Sequence, residues 1–196
     1  SYQGESKDPM QEIGTTYEFL DEFLKDEKGE DQTDKPRWLT ETFALHNLQA
    51  ERAKSTARYY ALDPQEKYEG DWSKLLSAPV VLTVVNKAGS GKNKGKTYSN
   101  IASTSAMRSK EAGNAPKLVN KPVFFDLSDT TNPSLQTFTD FPQWIKDKIK
   151  KGLEWQGSDF QIALESFKPK DKPKQEGKKK PVVEEEETDD EIPQNW

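Results

Sequence analysis

At 196 residues with a net charge of −5, the chain has room for one domain with appendages or two small ones. Hydrophobic and charged residues each make up 32%, and mean hydropathy is −1.00, so too little apolar surface is available to order the whole chain. The absence of cysteine excludes disulfides, thiolate metal sites and thiol nucleophiles.

The chain opens at Ser1 without an initiator Met, as expected of a processed or truncated start that lacks a first N-terminal strand. Residues Ser1–Pro9 read as a loop or edge segment. Ile13, Thr15, Tyr17 and Phe19 then alternate, which predicts a half-buried strand. Lys25–Lys35 is almost wholly charged and reads as a solvated loop or long hairpin tip turning at Gly29. Trp38–Leu45 alternates again and predicts a second strand. Asn47 is the expected cap of a helix running to Leu62, with Leu48, Arg52, Ser55 and Tyr59 on one stripe and Pro64 ending it. Asp71 is placed to cap a short helical turn carrying Trp72, Leu75 and Leu76.

Val80–Val85 and Lys96–Met107 read as the two strands of a hairpin, joined by the Gly- and Lys-rich connector Ala88–Gly95. Val123–Leu127, introduced by Pro122, predicts another strand. Phe141–Leu153 predicts an amphipathic helix with Pro142 in its first turn and Trp144, Ile145, Ile149 and Leu153 inward. Phe160, Ile162 and Leu164 alternate as in a closing strand up to Phe167. Several short strands with two or three short helices point to a mainly β domain over residues 1–167, an OB-type β-barrel being the expected form. Residues 168–196 read as a disordered Lys/Pro-rich linker and acidic tail. The strongest apolar run, Ala78–Val85, is too short to span a bilayer.

The connector Gly89-Ser90-Gly91-Lys92-Asn93-Lys94-Gly95-Lys96-Thr97 has the look of a phosphate-binding loop, the basis of an alternative reading as a nucleotide-dependent enzyme. Ser90 stands where that pattern needs glycine, and Thr97–Met107 reads as strand where it needs a helix. The remaining reading is a basic finger whose Lys87, Lys92, Lys94 and Lys96 track a nucleic-acid backbone, against that of a solvated hairpin tip. Arg37, Trp38, Arg58, Tyr59, Tyr98 and Arg108 complete the candidate set, because single-strand binding needs bases stacked on rings beside cations. Most rings in a domain of this size belong to the core, so two or three of them are expected outside. His46 is the only histidine and has no Cys or second His with which to hold zinc. No hydrolase motif is present, and neither catalysis, a metal nor a cofactor is expected.

The tail carries seven lysines in Lys168–Lys180, then acidic side chains throughout Glu184–Glu191 except at Thr188. From Asp171 onward 5 basic and 9 acidic residues leave 24 and 25 in Ser1–Lys170, so the acidity belongs largely to the tail. Asp189, Asp190 and Glu191 precede an apolar tip of Ile192, Pro193 and Trp196, a pattern suited to a pocket with a basic rim. A second alternative is therefore an interaction adaptor acting through this tail.

Asp189–Pro193 resembles the tip of bacterial single-stranded DNA-binding proteins, although Gln194 and Asn195 separate it from the terminal aromatic. The body resembles the single-stranded DNA-binding proteins of T7-like and related tailed bacteriophages. The residues carrying that likeness are Tyr2-Gln3-Gly4-Glu5, Gly14–Phe23, Lys35-Pro36-Arg37-Trp38, Ala53-Lys54-Ser55-Thr56 and Val81–Val85. Gly95-Lys96-Thr97-Tyr98, Leu118-Val119-Asn120, Val123–Leu127 and Pro142-Gln143-Trp144-Ile145 follow in the same order. The resemblance implies an OB-fold body, sequence-tolerant binding of single-stranded DNA, and a tail that contacts phage replication or recombination proteins such as a polymerase, primase-helicase or nuclease. It places the protein in the cytoplasm of an infected bacterial host.

Overall fold

The computed structural model describes residues 9–91 and 94–169. Expectations for Ser1–Asp8, Lys92 and residues 170–196, the acidic tip included, lie outside the described residues. The chain divides into two compact units, Ser1–Phe124 and Phe125–Trp196.

The first unit is β-rich. Strands β1 (Glu12–Lys25) and β2 (Asp31–Ala44) form one antiparallel sheet, and β3 (Val80–Ala88) and β4 (Thr97–Ala106) form another. Helix α1 (Lys54–Leu62), a 3-10 turn at Trp72–Leu75 and the short helix α2 (Ser109–Gly113) complete it. Each sheet has two strands, and the ladders do not join the hairpins into a closed barrel among the described residues.

The first hairpin runs further into the charged region than its composition suggests. Asp26 explains this: its Oδ1 accepts bonds from the amides of Lys28 (2.8 Å) and Glu30 (2.9 Å), and Gly29 takes φ +83°. The turn thus closes over five residues, and the flanking charges line strands rather than a loop. Pro36, which lacks an N–H, sits where the register slips opposite Phe23, and the Arg37 Nε donates instead to the Phe23 carbonyl at 3.1 Å.

Helix α1 begins at Lys54 with Ala53 at its N-cap, six residues later than a cap at Asn47 would place it. The Asn47 side chain accepts the Gln49 amide (2.9 Å) and closes a local turn, which Ala50 N–H to Asn47 C=O reinforces. Asp71 does cap its helical turn, accepting from the Ser73 amide at 2.9 Å. Tyr17, Phe43, Tyr59, Ala61, Leu75 and Ile101 form the buried apolar core, and Trp72 meets both Tyr59 (5.4 Å) and Phe43 (6.0 Å).

Polar groups pin this core. Asp63 accepts the amides of Lys67 (3.0 Å) and Tyr68 (2.8 Å), while the Tyr59 hydroxyl accepts the Gly70 amide (2.7 Å). The Arg58 guanidinium, 4% exposed, grips Glu41 of β2 with two bonds (2.7 and 3.3 Å) and reaches Thr104 Oγ1 (3.3 Å) and the Ile101 carbonyl (3.4 Å) of β4. Lys54 closes on the same carboxylate at 2.6 Å.

The second unit is helical: α3 (Asn132–Asp140), α4 (Gln143–Lys150) and α5 (Asp159–Ser166). Helix α3 was not anticipated. Its start is written in Thr131-Asn132-Pro133, with proline in the first turn, and Ser134, Leu135 and Phe138 make its buried stripe. Leu135, Phe138, Trp155 and Phe160 form the core, packed by Phe125, Leu127, Phe141, Ile149, Ala163, Leu164 and Phe167.

Two expected strands are corrected here. Val123–Leu127 pairs with no strand; it is a linker whose Phe125 ring sits edge-on to Phe141 (5.2 Å) and Phe160 (5.3 Å). Phe160–Ser166 is helical, with Phe167 at the C-cap, because Ser158 Oγ accepts the Gln161 amide (3.1 Å), while Gln161 Oε1 accepts the Gly157 amide (3.0 Å). The helix buries Phe160, packs Ala163 and Leu164 half-buried against the core with Phe167 just beyond its end, and leaves Ile162 outside. Helix α4 ends at Lys150, short of Leu153; Trp144 and Leu153 are exposed instead of inward, and only Ile149 of the expected stripe joins the core. No described helix is long and apolar enough to cross a membrane.

Burial pushes Glu41 and Asp63 up, but hydrogen bonds from Arg58 and Lys54, and from the amides of Lys67 and Tyr68, bring both below the ordinary carboxylate range. Folded values below unfolded ones stabilise the fold above pH 4 to 4.5, and that contribution drains as pH falls through the folded values. The thermal midpoint is therefore expected to hold between pH 8 and 5 and to drop below about pH 4. Glu41→Ala should cost about 3–5 kcal/mol in urea denaturation at pH 7, since it strands a buried guanidinium. An unchanged midpoint in that variant would contradict the arrangement.

Candidate nucleic-acid interface

Which face of the β3–β4 hairpin meets solvent follows from one irregularity. The register slips between Thr83 and Val84, leaving Ala102 as an extra residue on β4. Three residues apart, Ile101 and Thr104 would otherwise face opposite ways; across the bulge both serve the inner side, Ile101 by burial and Thr104 through Arg58. Counting back from Ile101, Tyr98 and Asn100 face outward. Lys87 lies directly opposite Tyr98, and Lys96 follows on the same side where the Gly89 amide bonds its carbonyl at 2.7 Å. Tyr98 is 42% exposed, and Lys87, Lys94 and Lys96 are exposed.

Glycines let the hairpin end turn. Gly91 and Gly95 take φ of +58° and +90°, and a Cβ at either would meet no neighbour among the described residues. Thr97 opens strand β4, and the phosphate-loop alternative lacks the helix it requires.

Charge is segregated between the hairpins. No acidic residue occurs between Asp71 and Glu111, a stretch holding Lys74, Lys87, Lys92, Lys94, Lys96, Arg108 and Lys110. Over Glu12–Ala44, ten acidic residues face only four basic ones. A polyanion is therefore attracted to one hairpin and repelled by the other.

The remaining candidates separate on this geometry. Arg37 and Trp38 are exposed, Trp38 at 56%, but they lie on the acidic hairpin, and Arg37 donates to the Phe23 carbonyl across the strands. Arg58 and Tyr59 are buried at 4% and 1%, and both act inside the fold, so neither can meet a strand at the surface. Arg108 is exposed beyond the far end of the hairpin, and that end itself lies roughly 23 Å of strand from the Lys87–Tyr98 rung. Lys87, Lys94, Lys96 and Tyr98 are thus the candidates the fold brings together.

Two features were missed in the sequence reading. A polar groove of about 230 Å³ runs between the edges of β2 and β4, lined by Leu39–Thr42, Lys54 and Ser99–Ile101. Glu18 accepts the amides of Val119 (2.7 Å) and Asn120 (3.1 Å) and the Asn120 side chain, tying residues 119–120 to β1 opposite Trp38. Neither leaves a local signal, because each joins residues far apart in sequence. A broader surface depression lies over His46 and Gln49–Ala53.

No protein-family model, curated protein or solved structure matches the chain.

If Tyr98 stands outside the core and Tyr59 within it, their truncations should diverge. Tyr98→Ala is expected to change stability by no more than about 0.5 kcal/mol. Tyr59→Ala should cost about 3 kcal/mol or more, in line with other large-to-small core changes. Equal losses in urea denaturation would refute the assignment.

Proposed function

We propose that this chain is a non-enzymatic single-stranded DNA-binding protein that takes the strand along the outer face of the β3–β4 hairpin. The observation that carries the reading is the Lys87–Tyr98 rung, a solvent-facing ring directly across from a cation on a hairpin with no acidic residue. Bases stack on Tyr98 while Lys87, Lys94 and Lys96 meet phosphates, a pairing that reads no sequence because every base has a face. The open glycine tip lets the cations follow an irregular backbone.

The resemblance to phage single-stranded DNA-binding proteins supports the same reading and extends it. In this proposal the β-rich unit is a variant of the OB-type body, with its two hairpins held together through α1. The protein coats DNA during phage replication or recombination in the host cytoplasm. Asp189, Asp190, Glu191, Ile192, Pro193 and Trp196 recruit replication proteins.

Titration with oligo-dT is expected to show binding that duplex of the same length does not match, with a salt slope of about −0.7 per phosphate neutralised. Replacing Lys87, Lys94 and Lys96 by Ala should flatten that slope by up to about two units. Tyr98→Ala should weaken binding by about 1–3 kcal/mol. Duplex bound as tightly as single strand, or variants that bind as the wild type does, would defeat the proposal.

Removing residues 181–196 deletes an acidic segment that competes with DNA for the same cations. Apparent affinity should rise, most at low salt, because only the unoccupied fraction binds. Trp196→Ala should spare DNA binding while weakening capture of a phage polymerase, primase-helicase or nuclease. A truncated protein with unchanged DNA affinity that still captures those partners would remove the tail from the mechanism.

A further inference from the structure

The two faces of the β1–β2 sheet do different things. One is buried with Tyr17 and Phe43. On the other, Glu18 and Trp38 stand directly opposite each other, and Thr16 and Thr40 on the next rung of that face meet Oγ1 to Oγ1 at 2.8 Å. Trp38 is 56% exposed there. Three bonds donated by Val119 and Asn120 to the Glu18 carboxylate fix residues 119–120 to the same face, and Val119 is 50% exposed. The surroundings are acidic. Over Glu12–Ala44 ten acidic residues stand against four basic, and Lys117 and Lys121 beside the attached segment bring the basic count to six. Asp26 is used in the hairpin turn and Asp31 pairs with Lys25 at 3.1 Å, while Asp21, Glu22 and Asp34 are exposed along the hairpin.

An exposed indole among carboxylates repels DNA and suits a cationic segment that can lie on a ring. Lysine does so by cation–π attraction, and proline by the flat contact that aromatic surfaces give to proline-rich chains. The chain itself carries such a segment: Lys168–Lys180 holds seven lysines against Asp171 and Glu176, with Pro169 and Pro173 among them. We propose that the outer face of the β1–β2 hairpin takes the Lys168–Lys180 segment of a second copy, with Trp38 against its prolines and lysines and Asp21 and Glu22 meeting its ammonium groups. The contact joins two different surfaces, so it is heterologous and repeats head to tail, as an array of copies on a linear strand requires. It rests on the reading of the protein as a single-strand binder, and it makes neighbouring copies bind cooperatively while a lone copy depends on the β3–β4 hairpin.

The test uses the full chain with oligo-dT of two lengths, one seating a single copy and one seating several, followed by anisotropy, with urea denaturation as a check on folding. Neighbouring copies on the longer strand are expected to bind about 5- to 30-fold tighter than a lone copy. That gain should vanish in Trp38→Ala and shrink in Asp21→Asn with Glu22→Gln, with the shorter strand bound within about twofold of wild type. A synthetic peptide of residues 168–180 should shift the amides of residues 36–40 and 119–120 in the DNA-free protein, less so at high salt. An oligo that seats one copy should leave the β1–β2 amides in place. Mixing Trp38→Ala with a chain in which Lys170, Lys172 and Lys174 are changed to Gln should restore the contact pairwise, since one intact hairpin meets one intact segment. No gain in that mixture assigns the segment to its own copy and overturns the proposal. Equal affinity per copy on both strands overturns it too, and leaves the β3–β4 reading standing. A wild-type protein that binds neither strand overturns the DNA reading, and a peptide that shifts no β1–β2 amide overturns the docking face whatever the DNA result.

Discussion

Arg58 carries a fixed positive charge into the interior of the β-rich unit, where desolvation makes an unpaired guanidinium prohibitive. It is tolerated because four bonds receive it: two to Glu41, one to the Thr104 hydroxyl and one to the Ile101 carbonyl. Those acceptors belong to different sheets. With no ladder between the hairpins among the described residues, this guanidinium on α1 is what links β2 to β4 by direct hydrogen bonds. The requirement reaches the surface. Serving Arg58 from both Ile101 and Thr104 depends on the bulge at Ala102, and that bulge sets which β4 side chains turn outward. Tyr98 turns outward because it stands three residues before the buried Ile101.

The charge pattern then decides what the outward face suits. Acidic residues collect on β1–β2 and are absent from the whole stretch between Asp71 and Glu111. A nearly neutral body can therefore present a strongly basic side, which net charge and pI conceal. Electrostatic steering by such a dipolar unit orients a polyanion before any ring contact forms. In the proposed function, stacking on Tyr98 then holds it, and Asn100 is the next outward side chain along β4.

Much of the first unit was legible because its signals are local. Alternation at Ile13, Thr15, Tyr17 and Phe19, the β-branched run at Val80, and the Asp71 cap each specify their element within a few residues. Failures came where a local signal had two readings. Asn47 caps a turn as readily as a helix, and its side chain chose the turn. Phe160, Ile162 and Leu164 fit a strand, while Phe160, Ala163, Leu164 and Phe167 fit a helix; the Ser158–Gln161 cap decided between them. Val123–Leu127 has strand composition but finds no partner, and its Phe125 goes to a core instead. Among the site residues, adjacency of base and ring suggested Arg58-Tyr59 as strongly as Lys96-Thr97-Tyr98. Only burial distinguishes them, and burial depends on Glu41 and Thr104, 17 and 46 residues away from Arg58.

The most direct measurement is a backbone-amide NMR titration of the full chain with oligo-dT at low salt. Binding on the outer hairpin face should perturb the amides of Lys87, Lys96, Tyr98 and Asn100, and leave those of β1 at Asp21–Lys25 in place. Shifts confined to the β1–β2 hairpin, or none at residues 85–100 with DNA bound, would contradict the assignment of the strand to β3–β4.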